Sequence, residues 1–148
     1  METLSPFIAN IVWVIAAFWF MEFVAWFAHK YVMHTFGWSL HKDHHQPTGN
    51  FFQRNDMFAV IFAIPSWLNM QLGVMAGFDF RFYIGLGILF YGIAYTVVHE
   101  VIIHNRWGNR DKIKHWYLQG LARAHFAHHK HKEKERNISK NFITFNCC

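Results

Sequence analysis

The apolar residues of the chain fall into three long runs separated by polar segments. The runs cover residues 7–28, 57–77 and 82–98. Each approaches the ~20 apolar residues that an α-helix needs to cross a bilayer. The pattern predicts an all-α integral membrane helical bundle of three spans, with residues 1–148 as a single domain. Pro65 lies inside the second run and predicts a kink or a break there, which leaves a fourth span open.

The polar segments hold a histidine pattern that occurs twice along the chain. Ten of the 12 histidines belong to it, and each copy is an H-x-x-x-x-H pair followed by an H-x-x-H-H triplet. The pairs are His29 with His34 and His99 with His104, and the triplets are His41, His44, His45 and His125, His128, His129. Because the second and third runs form a hairpin, both copies are expected on one face of the membrane.

The basic residues predict which face this is. Lys30, Lys42 and Arg54 lie in the first polar segment and ten more lie between Arg106 and Lys140. Cytoplasmic loops of membrane proteins carry an excess of Lys and Arg, so the histidine segments are predicted to form a cytoplasmic helical cap. Charged residues make up only 16% of the chain, against roughly 25% in soluble domains. The net charge of +5 therefore fits a membrane protein, and nucleic acid is not expected as a partner.

The number and spacing of the histidines indicate a metal centre. Successive helical residues lie about 100° apart, so each triplet places three rings on one face, whereas the members of a pair lie about 140° apart and are expected to reach different ions or a helix end. One ion takes roughly four to six ligands, so ten imidazoles suit two ions. Imidazole binds Zn, Fe, Cu and Ni alike, and the spacing leaves the metal open. His115 and His131 lie outside the pattern and are expected on the surface.

A few acidic and aromatic residues are further candidates. Asp43 and Glu100 lie beside the histidines, as do Asp56 and Asp111, and whether a carboxylate or a bridging water completes the metal coordination stays open. Glu22 is a carboxyl inside the first run, two turns before His29, and is a functional candidate for that reason. Glu22 and Trp26 are candidate substrate-binding residues. The alternative is that they pack between helices or against lipid.

The residues around the histidines resemble bacterial β-carotene hydroxylases, within the membrane fatty-acid-hydroxylase/sterol-desaturase-like superfamily. The resemblance covers nearly the whole chain, and its matching stretches are residues 29–34, 41–45, 55–60, 98–107, 124–129 and 137–145. One H-x-x-H-H triplet would be weak support, but four histidine boxes in this order are specific. Family members often have Pro after the Arg-Trp pair, where this chain has Gly108.

The resemblance implies a non-haem di-iron monooxygenase of the bacterial inner membrane. Such an enzyme uses O2 and electrons from a ferredoxin-type donor to hydroxylate C3 of the β-ionone rings of carotenoids, taking β-carotene through β-cryptoxanthin to zeaxanthin. The resemblance assigns two iron ions to the ten pattern histidines, with no catalytic residue beyond the metal centre. The alternatives are a related carotenoid ketolase, a lipid or sterol oxidase, or a non-catalytic metal-binding or metal-transporting membrane protein.

Overall fold

The computed structural model describes residues 5–46, 50, 52–104, 106 and 115–129. Over these residues the chain is helical without strands, and its α-helices are α1 (Pro6–Phe27), α2 (Trp38–His45), α3 (Asp56–Met75), α4 (Phe80–Thr96) and α5 (Trp116–His129). A first π-helical segment (Ala28–Met33) continues α1, and a second (Val97–Ile103) continues α4. The predicted all-α fold is confirmed.

In the part of the chain that the structure describes, three continuous helices are long and apolar enough to cross a membrane. They are Pro6–Met33, Asp56–Met75 and Phe80–Ile103, in agreement with the three predicted runs. α3 passes through Pro65 as one helix, so the predicted break at this proline does not occur. Asn69, one turn later, donates its side-chain N–H to the carbonyl oxygen of Pro65 at 2.8 Å.

The chain divides into two compact units, and the first consists of Met1–Phe23 and Phe58–Ala94. Glycine lets two of its helices approach closely. A Cβ atom added at Gly87 of α4 would lie 2.5 Å from the carbonyl oxygen of Val14 and 2.8 Å from Cβ of Ala17, both in α1. Small residues at such crossings are typical of helices that pack inside a membrane, where close van der Waals contact drives association.

Gly87→Ala is therefore expected to destabilise the packing of α4 on α1. The new methyl group would have to displace the α1 backbone, and overpacking of this kind typically costs about 1–3 kcal/mol. Gly92→Ala is the matched control in the same helix, because no atom lies within 4 Å of its added Cβ. Thermal unfolding in detergent should give a lower Tm for Gly87→Ala than for Gly92→Ala, and equal values would contradict this packing.

The second unit consists of Val24–Met57 and Tyr95–Cys148 and contains all ten pattern histidines. Within it, α2 packs against the first π-helical segment and α5 packs against the second. Each half of the unit thus combines one histidine pair with one histidine triplet. The single-domain assignment made from chain length stays a prediction.

Candidate metal centre

Both histidine pairs lie at π-helical turns. The backbone N–H of His34 donates to the carbonyl oxygen of His29 at 3.3 Å, and that of His104 donates to the carbonyl oxygen of His99 at 2.9 Å. This i→i+5 hydrogen bond defines the π-helix, and it brings the later histidine back over the earlier one. The Nε2 atoms of His29 and His34 lie 3.3 Å apart, and the ring centroids of His99 and His104 lie 4.7 Å apart.

The members of a pair were predicted to reach different ions or a helix end, and His34 and His104 each lie at the end of a π-helical segment. Divergence toward different ions stays a prediction, which the placement of the paired rings side by side does not favour. This prediction assumed α-helical geometry, in which residues five positions apart diverge by about 140°. The wider π-helical turn removes this divergence. π-Helical turns inside longer helices are rare and frequently occur at functional sites, and here each one aligns two potential ligands.

The first triplet contributes histidines to two different groups. In α2, the Nε2 atoms of His41 and His45 lie 3.1 Å apart. The first group consists of His29, His34, His41 and His45, and its ligand atoms all lie within 4.8 Å of one another. The second group consists of His44, His99, His104 and His125, within the same distance. His44 therefore serves a different group from its neighbours in α2.

The histidines of the second triplet are likewise shared between the two groups. Nε2 of His125 lies 2.8 Å from Nε2 of His104 in the second group. Nε2 of His128 lies 3.1 Å from Nε2 of His34 in the first group. The first group thus includes His128, the middle histidine of the second triplet, and the second group includes His44, the middle histidine of the first triplet.

His129 lies between the two groups. Its ring centroid is 4.3 Å from that of His125 and 4.7 Å from that of His44, both in the second group. It also stacks on His45 of the first group at 4.3 Å. All ten pattern histidines therefore come together in one cluster with two halves, which is the arrangement that two ions require.

The nitrogen positions fit transition-metal ions better than a network of hydrogen bonds. Nε2 of His34 faces Nε2 of both His29 and His128 at 3.3 and 3.1 Å, although one nitrogen of a neutral imidazole carries either one proton or one lone pair and so forms one good hydrogen bond. At a metal–nitrogen distance of about 2.1 Å, neighbouring ligand atoms lie roughly 3.0–3.4 Å apart, close to these separations. The buried Nε2 of His129 has no hydrogen-bond partner among the described residues, as expected for a ligand atom.

Burial keeps six of the candidate ligand rings neutral. It lowers the pKa of His34 from 6.5 to about 3, that of His129 to about 3 and that of His41 to about 4. Removal of water is the main cause in each case, and neighbouring imidazoles add to it at His34 and His129. The pKa values of His44, His45 and His125 are lowered for the same reasons. Metal binding needs the neutral imidazole, so these rings are ready to coordinate at neutral pH.

Side chains outside the cluster form hydrogen bonds with the Nδ1 atoms of two of the rings. Nδ1–H of His41 donates to Oδ1 of Asn55 at 2.7 Å, and Nδ1–H of His99 donates to Oε1 of Glu100 at 2.9 Å. Glu100 thus contacts a ligand ring. Asp43 accepts a hydrogen bond from the backbone N–H of Arg54. Asp111 lies outside the described residues.

The predicted substrate residues contact other protein groups. Glu22, in the first unit, accepts a hydrogen bond from the hydroxyl of Tyr91 in α4 at 3.0 Å. This contact agrees with the alternative in which Glu22 packs between helices. Trp26 packs edge-to-face against Tyr31 with centroids 6.0 Å apart, and the ammonium of Lys30 lies 5.3 Å from its ring. A role for Glu22 and Trp26 in substrate binding stays a prediction.

The histidines outside the pattern do not join the cluster where they are described. His115 is exposed and stacks on Trp116 at the start of α5, as expected of a surface residue. His131 lies outside the described residues.

Comparison with known proteins shows the family to which the chain belongs. The sequence profile described as fatty acid hydroxylase matches residues 14–147, which is most of the chain. The chain belongs to the fatty acid hydroxylase family. No solved structure matches it.

Several proteins similar to this fatty acid hydroxylase family member are named beta-carotene hydroxylases. A beta-carotene hydroxylase of Pantoea ananas is 40% identical over 123 residues, which cover 83% of this chain and 70% of the relative. A beta-carotene hydroxylase of Paracoccus sp. (strain PC1) is 30% identical over 88% of this chain and 80% of its own length. A chloroplastic beta-carotene 3-hydroxylase 2 of Arabidopsis thaliana is 36% identical, and the match covers 77% of this chain and 39% of that protein.

Proposed function

We propose that the chain is a non-haem di-iron monooxygenase that hydroxylates C3 of the β-ionone rings of carotenoids, with β-carotene converted through β-cryptoxanthin to zeaxanthin. The observation that carries the proposal is the two-group histidine cluster in a chain whose relatives are named beta-carotene hydroxylases. Membership of a hydroxylase family makes the chain an oxidoreductase. We propose iron as the metal, O2 as the oxidant and C3 as the position of hydroxylation.

In this proposal each group holds one iron ion. The first ion is held by His29, His34, His41 and His45 with His128, and the second by His44, His99, His104 and His125 with His129. Imidazole nitrogen is a suitable donor for iron. The iron pair supplies, when bound, the redox chemistry that reduces O2 and oxidises a C–H bond. Burial keeps rings such as those of His34 and His129 neutral, and hydrogen bonds to Asn55 and Glu100 orient His41 and His99.

The membrane-spanning helices support a substrate that resides in the bilayer. The pair His29 and His34 follows the end of α1, and His99 with His104 follows the end of α4, so in sequence the ligands come directly after apolar spans. A carotenoid is a long hydrocarbon that dissolves in lipid. Selectivity for C3 would arise from holding this ring carbon close to the metal centre in a fixed orientation.

The proposed setting is the bacterial inner membrane with the histidine unit on the cytoplasmic side. The support is the concentration of Lys and Arg in the two histidine-bearing segments. A ferredoxin-type protein would deliver electrons there, since such carriers are soluble.

Expression of the chain in a bacterium that accumulates β-carotene tests the function directly. We expect β-cryptoxanthin and zeaxanthin to appear on pigment chromatography. Unchanged β-carotene in cells with folded, iron-loaded protein and a supply of reductant would contradict the proposal. A keto product would indicate a ketolase, and metal uptake without any O2-dependent product would indicate a non-catalytic metal protein. Metal analysis alone is insufficient, because histidine sites also accept zinc.

A further inference from the structure

Two adjacent residues at the start of α3 reach different halves of the metal centre. Oδ1 of Asn55 accepts a hydrogen bond from Nδ1–H of His41, at 2.7 Å, and His41 belongs to the first group. Asp56 instead binds Arg106 through two hydrogen bonds, from Nη1 to Oδ1 and from Nη2 to Oδ2, each 2.9 Å long. The side chains of Asn55 and Asp56, which are adjacent in sequence, therefore contact different partners, His41 and Arg106.

The contacts of Arg106 lead onward to the second group. Nη1 of Arg106 also donates to Oε2 of Glu100 at 3.0 Å, while Oε1 of Glu100 accepts from Nδ1–H of His99 at 2.9 Å. The Arg106 and Glu100 side chains are only 14% and 12% exposed. Hydrogen bonds between charged groups that are shielded from water are stronger and more directional than exposed ones. The chain of contacts from Asp56 to His99 is thus continuous, and it is shielded from water at Arg106 and Glu100, while the Asp56 side chain is 33% exposed.

Each contact fixes the orientation of a metal ligand. An ionised carboxylate only accepts hydrogen bonds, so His99 carries its proton on Nδ1 and presents Nε2 to the second group. His41 likewise presents Nε2 to the first group when Nδ1–H donates to the amide oxygen of Asn55. Such outer partners set the tautomer and ring orientation of a ligating histidine and raise its basicity.

We propose that Asn55 and Asp56 are positioning residues that link the two metal groups through the start of α3. Asn55 orients His41 directly, and Asp56 orients His99 through Arg106 and Glu100. The inference rests on the proposed function in one respect, namely that both groups bind metal ions. It adds a distinction between the groups, because the partner in the first is a neutral amide and the partner in the second is a carboxylate.

A titration of the purified chain with Co2+ in detergent tests this division. Its visible absorption reports the two binding steps. Asn55→Ala should weaken one step by about 10–100-fold, the usual effect of losing an outer partner, and leave the other unchanged. Asp56→Asn should weaken only the other step. Asn55→Asp keeps an oxygen acceptor and should restore binding. Asn69→Ala is the matched control in α3, since Asn69 bonds only the carbonyl oxygen of Pro65 among the contacts described.

A double replacement separates a positioning role from general support of the fold. In a His41→Ala background, which is expected to lose the binding step of the first group, Asn55→Ala should have no effect on the remaining step, whereas Asp56→Asn should keep its full effect on it. Should Asn55→Ala fail to fold, Asn55→Gln, which moves the amide by one methylene, is expected to show the same loss at one step.

Two outcomes would overturn the inference. One is that the variants at Asn55 and Asp56 weaken both steps equally, and the other is that neither variant changes binding. Absence of any Co2+ binding by the unaltered chain would instead contradict the proposed metal centre, so the two failures are distinguishable.

Discussion

His44→Ala is expected to abolish carotenoid hydroxylation and to remove the metal ion from the second group while the first group keeps its ion. His44 is 3% exposed, and its ring centroid lies 4.3 Å from that of His104 and 4.8 Å from that of His99. Among the described residues, His44 is the histidine that α2 contributes to the second group. Loss of a direct ligand should weaken binding by more than the about 10–100-fold caused by loss of an outer partner.

The reciprocal variant, His128→Ala, should abolish turnover by emptying the first group instead. His128 belongs to α5, whose His125 lies in the second group, yet Nε2 of His128 lies 3.1 Å from Nε2 of His34. Metal content, measured on purified protein by mass spectrometry, should fall by about half in both variants. The Co2+ spectra should differ between them, because different groups survive.

His115→Ala is the control for both replacements. His115 is exposed at the start of α5 and stacks on Trp116, so its removal should leave metal content and product formation unchanged. Loss of activity in folded His115→Ala would show that the repeated pattern misses a functional histidine. Loss of metal from the first group in His44→Ala would show that each triplet serves its own half, contrary to the reciprocal arrangement.

The sequence was sufficient to predict the spans and the gathering of the pattern histidines. Both depend on properties that are local along the chain. A run of about 20 apolar residues has one stable arrangement in a bilayer, a helix with internally satisfied backbone groups. Ten histidines in two matched sets exceed what one ion accommodates, so two ions followed from counting.

The grouping of the ligands could not be predicted from the same information. Periodicity assumes a fixed helical turn, and nothing in the residues from His29 to His34 distinguishes a π-helical turn from an α-helical one. The reciprocal use of His44 and His128 depends on how α2 and α5 face each other across the cluster, which is a tertiary property.

Asn55 and Arg106 were missed as outer partners because their contacts are distant in sequence, whereas Glu100 and Asp56 are among the acidic residues named as candidates from the sequence. Asn55 is 14 positions from His41, and Arg106 is 50 positions from Asp56. The available signal was that Asn55 and Asp56 begin a stretch of the family resemblance that no metal ligand explained.

Insertion of one alanine between Tyr31 and Val32 is expected to eliminate metal binding by the first group and, with it, hydroxylation. The insertion lengthens the pair by one residue, so the bond from His34 N–H to the His29 carbonyl oxygen, now 3.3 Å long, would no longer span five positions. His29 and His34 could then not present their Nε2 atoms to one ion. The second group, which takes its pair from a separate segment, should still bind metal.

A matched insertion distinguishes this geometric effect from damage to the fold. A glycine inserted between Gly77 and Phe78 falls in the exposed turn between α3 and α4, where both residues already have positive φ values of 79° and 64°, and exposed turns tolerate added residues. Met33→His in the alanine-insertion variant places a histidine again five positions after His29 and should recover part of the metal binding. Full activity of the uncorrected alanine insertion would show that the centre does not depend on π-helical register. Recovery by Met33→His would show that the first group needs a histidine five positions after His29.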